Sequence, residues 1–131
     1  MKLSTAMRIG SMTTQQIIYH WSDGKNGRCA LGAIAAAHNI NDKNVLEMMK
    51  KTYDLFPQLS IITSNPCSQI NGQLVICIST LNDQYNWSRE KIADWIEDLE
   101  NKGVITYATP RNEGIPICNA NSTSNKQTLV V

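Results

Sequence analysis

Charge is scarce in this 131-residue chain and nearly balanced, with 12 Lys and Arg against 11 Asp and Glu, and only 18% of residues charged. That excludes the broad basic face of a protein that coats nucleic acid, which usually needs a pI above about 9. With 42% of residues apolar, an acidic disordered solubiliser is excluded as well. There is no apolar run near the roughly 20 residues of a membrane span, and Lys2 and Arg8 interrupt any signal-peptide core. The expectation is a soluble, cytoplasmic protein. Internal repeats are missing too. The two histidines, His20 and His38, and four cysteines, Cys29, Cys67, Cys77 and Cys118, contain no Cys-x-x-Cys pair, so no metal site, cofactor or disulfide is expected.

What is plentiful is Asn, Ser and Thr, gathered in three loop-like stretches at 22–26, 64–72 and 119–128. The last begins a polar tail, residues 119–131, after a single domain over residues 1–118. Between the loops the apolar spacing predicts a mainly α, compact domain of four to five helices with a short C-terminal β-hairpin. A helix over 4–12 has Ser4 as its N-cap. Residues 16–21 are branched and aromatic and read as a strand. Residues 29–38 are small and apolar on every face, the mark of a central helix. Residues 42–56 place Val45, Leu46, Met49, Tyr53 and Phe56 at helical spacing before Pro57. Residues 74–83 fit a buried helix or a buried strand; the shared face of Leu74, Ile78 and Leu81 favours helix. Over 88–101, Ser88 caps a helix with an Ile92, Trp95, Ile96 and Leu99 stripe, stopped by Lys102-Gly103. Residues 104–109 and 115–118 flank a turn and read as the hairpin, with Pro116 confining its second strand to an edge.

Three chemistries compete. Residues 34–45 have a helix-turn-helix layout, and Leu81, Trp87, Ile92 and the hairpin imitate a winged version. The charge of the better-placed helix weighs against it, because Arg89, Lys91 and Lys102 face five acids between Ser88 and Lys102, a net of −2. Cys29, after Arg28 at a helix start, is the candidate nucleophile, with dipole and guanidinium both lowering its pKa. His20 would be its base and Asp83 or Asn82 the orienting group; His38 lies about 13 Å up the same helix. The structural alternative is a buried Cys29 opening an apolar helix. Leu81-Asn82-Asp83 suits helix-end capping. Tyr85, Asn86 and Trp87 beside a polar link suit a binding surface, and Arg89 and Arg111, at a helix start and a hairpin turn, are the candidate cations for an anionic ligand.

Residues 2–12, the block Cys29-Ala30-Leu31-Gly32-Ala33-Ile34, and the block running from Leu81-Asn82-Asp83 through Trp87-Ser88-Arg89-Glu90-Lys91-Ile92-Ala93-Asp94-Trp95-Ile96-Glu97 together resemble a family of small phage, prophage and bacterial proteins with no assigned activity. The resemblance spans residues 2–100. It implies a phage-type accessory protein inside a bacterial host cell, with inhibition of host defence as one instance. Some relatives carry Cys-Pro-x-Cys in the middle loop; here Asn65-Pro66-Cys67-Ser68 keeps one cysteine. The expected function is non-enzymatic binding and modulation of a host or phage macromolecule, or of a small signalling ligand. Partners are then a protein or a small anion, with self-association left open. A winged-helix DNA-binding regulator and a Cys29-dependent hydrolase are the alternatives.

Overall fold

The computed structural model describes residues 1–108. Its elements run α1 (Leu3–Thr13), β1 (Gln15–Gln16), β2 (Gly27–Arg28), α2 (Ala30–Ala37), α3 (Val45–Leu55), a 3-10 turn at Pro57–Ser60, β3 (Ile62–Ser64), β4 (Asn71–Gln73), α4 (Leu74–Asp83) and α5 (Arg89–Asn101). The protein is mainly α: five helices and a small antiparallel β3–β4 hairpin.

The centre is α2. Its sequence ALGAIAAA is apolar on every side, and Ala30 to Ala35 are all buried. Small side chains let neighbours approach backbone to backbone. Gly10 of α1 lies directly over the Ala33 carbonyl, and Gly32 lies over the Trp21 carbonyl; a Cβ at either would overlap that oxygen. α1 packs mainly on α2 and then on α5. Leu3, Met7, Ile34, Leu59, Leu74, Ile78, Leu81, Ile92, Ile96 and Ile105 form the solvent-free core.

Caps fix the helix starts. Asn44 accepts from Leu46 N and Glu47 N and so opens α3 at Val45, later than residue 42. Ser88 accepts from Lys91 N to open α5 as expected. Ser4 is no cap: it sits inside α1, buried, with its hydroxyl donating to Glu100 Oε1 at 2.5 Å. The expected face of α3 holds at its C-terminal end, where Phe56 is buried and Tyr53 packs on the core, but at its start Val45 and Leu46 face solvent while Met48 and Thr52 are buried.

Two strand expectations change. The strand over 16–21 stops early: β1 pairs two residues, in parallel, with β2, and Tyr19 then turns left-handed at φ 68°. Conversely, the ends of the loop expected over 64–72 pair as strands, Ser64 with Asn71, and residues 65–70 are the turn of the β3–β4 hairpin, closed by Asn65 Oδ1 accepting from Cys67 N and Ser68 N. Residues 104–108 follow α5 as a bend and irregular chain. The rest of the expected C-terminal hairpin, the 118 boundary and the polar tail lie outside the described residues.

Candidate functional site

The segment after α1, the start of α2, the end of α4 and the start of α5 meet around buried polar side chains. Asn82, 1% exposed, accepts at Oδ1 from Ala30 N (3.0 Å) and Gln16 Nε2 (2.9 Å) and donates from Nδ2 to the Ile17 carbonyl (2.9 Å) and Asp83 Oδ1 (2.8 Å). Gln16 also donates to the Trp87 carbonyl and accepts from Arg89 N. The Arg89 guanidinium donates to Thr14 Oγ1 (2.7 Å) and to the carbonyls of Thr14 (2.7 Å), Ser11 (3.3 Å) and Arg28 (3.2 Å). Arg89 is 7% exposed. Sequence reasoning left it free for a ligand; here its four terminal N–H donors are spent on the fold, because the α5 start is pressed against the end of α1. Arg111 lies outside the described residues.

Cys29 occupies the α2 N-cap, and its sulfur accepts from Gly32 N at 3.4 Å. Burial pushes the thiol above its ordinary value; the Gly32 and Leu31 amides pull the other way without overcoming it, and the Asp83 charge adds to the rise. This reverses the lowered pKa expected from the helix start and Arg28. Arg28 points elsewhere, donating to the carbonyls of Gly32 (3.0 Å) and Ile40 (3.3 Å) and to Asn41 Oδ1 (2.8 Å). His20 is exposed, and Asp83 accepts from Tyr19 N and Ser79 Oγ. The three candidate catalytic residues make no hydrogen bond to one another. Among the described residues no three His, Cys, Asp or Glu side chains gather as a cation site, and no helix is long and apolar enough to cross a membrane.

The three expected binding residues separate. Trp87 is half-buried against the core, with Lys91 Nζ 4.2 Å above its ring. Asn86 takes the left-handed turn position at φ 54°. Tyr85 instead lines a cleft of about 260 Å³ between α4 and the hairpin, with Ile70, Ile76, Asn65 and Cys77. Ile70 is 69% exposed, Ile76 56% and Tyr85 42%, over a floor of buried Asn65 and Cys77. Sequence reasoning missed both isoleucines. Three consecutive apolar residues, Val75-Ile76-Cys77, on one helix were the available signal, since a single buried face rarely takes all three.

Fold and cleft together define a small helical protein with an open apolar groove beside a hairpin. No family model matches the chain, and no curated protein or solved structure matches it.

Proposed function

We propose that the protein is a non-enzymatic accessory protein of phage type that binds and modulates a host or phage protein through the α4–hairpin cleft, inhibition of host defence being one instance. The phage assignment rests on the sequence resemblance. The binding assignment rests on Ile70, Ile76 and Tyr85, large apolar side chains left exposed together around a concave floor. Such a grouping costs solubility and suits a partner's apolar side chain with a polar rim. Other features favour this reading over its alternatives. The outward acids of α5, Glu90, Asp94 and Glu97, surround Arg8 at 2.7–3.0 Å, an unsuitable surface for DNA phosphates. The Cys29 thiol is buried, and that burial pushes its pKa up, which disfavours a nucleophile.

The test compares partners captured from bacterial lysate by the native protein and by Ile76→Arg. Ile76 is exposed, so the variant is expected to keep its Tm and lose the captured protein. A partner that survives both Ile76→Arg and Ile70→Arg would sink the cleft as the binding surface.

A further inference from the structure

A second concavity, of about 270 Å³, lies between the turn at 22–27 and the link at 38–44, away from the cleft, and shares no lining residue with it. Its walls include Ser22, Lys25, Arg28, Asn41, Asp42 and Lys43. Arg28 is 5% exposed, yet every acceptor it meets is neutral: two carbonyls, a side-chain amide and, at 3.8 Å, the Met48 sulfur. Lys25 and Lys43 enter from the two separate loops, and neither forms an ion pair among the described residues. Two acids lie near. Asp42 is held by Lys51 at 3.0 Å, and the Asp23 carboxylate is engaged by the Lys25 and Gly27 amides. Four cations, counting Lys51, against two acids leave a local charge of +2. Ser22 Oγ already accepts from Gly24 N at 3.1 Å, so its own hydrogen is left for a ligand.

We propose that this concavity binds the phosphate dianion of a small molecule. The charge left over matches a dianion better than a single carboxylate, and tetrahedral oxygens can meet donors from two loops at once. Arg28, fixed by its carbonyls, supplies a positive wall whose position needs no rearrangement. The concave shape takes one phosphate with a small organic part; a polynucleotide would need an extended basic surface, whereas among the described residues α5 sets Glu90, Asp94 and Glu97 at the surface.

The probes are inorganic phosphate and adenosine monophosphate, each titrated against sodium chloride at matched ionic strength, with amide resonances of Gly24, Lys25 and Lys43 as the readout. Saturable shifts with either probe are expected. A double variant, Lys25→Met with Lys43→Met, removes only exposed side chains and should keep its Tm in chloride while binding about tenfold more weakly, about 1.4 kcal/mol. Tighter binding of the nucleotide identifies an organic phosphate as the occupant, and equal binding identifies free phosphate; both support the site. Shifts no larger than those in chloride, or saturation undiminished in the double variant, overturn it. Ile76→Arg should bind phosphate normally, so failure here and failure of the cleft are separable.

Discussion

Asn82 has two accepting and two donating positions, and the fold fills all four. Because Ala30 N–H can only donate, the amide's orientation is fixed. Asn82→Ala strands the buried Ala30 amide and the part-buried Ile17 carbonyl, at about 1–3 kcal/mol each if water does not replace the side chain. The expected result is a lower urea midpoint with an unchanged slope, corresponding to a loss of about 3 kcal/mol; a loss under about 1 kcal/mol would show that water replaces the side chain. Residue type announced this role in part, since Asn at a helix end is a capping residue. Arg89 was not legible in the same way: an arginine at a helix start looks alike whether solvent or a neighbouring chain segment receives it, and only the approach of Ser11 and Thr14 decides. Cys29 illustrates two opposed effects. A helix start lowers a thiol pKa and burial raises it, and sequence reveals the first while hiding the depth of the second. Iodoacetamide treatment of the native protein followed by peptide mapping should label exposed Cys67 rapidly and buried Cys29 and Cys77 slowly, with all three reacting in denaturant. Prompt labelling of Cys29 would revive the nucleophile reading.

At the scale of elements, the α1–α2 contact depends on the absence of a side chain at Gly10. Gly10→Ala gains about 1 kcal/mol of helix propensity, but the new Cβ meets the Ala33 carbonyl, a backbone atom that cannot swing aside. Overpacking of this kind costs about 1–3 kcal/mol or more, so we expect a net loss and a lower Tm in thermal unfolding; a raised Tm would mean that the helices separate freely. Helices whose apolar residues decide their own burial were readable: α2 from its uniform small side chains, and α5 from its Ser88 cap and Ile92–Ile96 spacing. α3 was readable as a helix and in the facing of Tyr53 and Phe56, but not in the facing of its first turn. Its first turn offers Val45, Leu46 and Met48, and the choice of Met48 depends on Ala35 and Ile40 of α2 and its link, which no local pattern encodes. The hairpin escaped for a related reason. Strands of three residues carry too little alternation to stand out from the Asn- and Ser-rich turn that joins them.

For the molecule as a whole, burial is concentrated on α2, so its amides should be the last to exchange with solvent, while residues 22–27 and 65–72 exchange first. Protection in α5 exceeding that in α2 would contradict the central placement. The cleft could not be foreseen at any smaller scale, because it exists only where α4 leaves Ile76 and Tyr85 uncovered beside the hairpin. The two buried arginines have a consequence in acid. Arg28 and Arg89 are held by carbonyl, amide and hydroxyl oxygens, and none of these groups takes up a proton between neutral pH and pH 3. Asp23 behaves oppositely: backbone amides hold its carboxyl below the ordinary range, so its contribution is present above about pH 4 and fades below it. Acidification therefore loosens the exposed turn while both arginine clasps persist. Far-UV circular dichroism at pH 3 should retain most of its helical signal, and a cooperative collapse near pH 4 would show that the carboxylates, and not the two guanidinium groups, hold the helices together. A protein clasped in this way would keep its architecture through acid exposure that dismantles folds built on buried salt bridges.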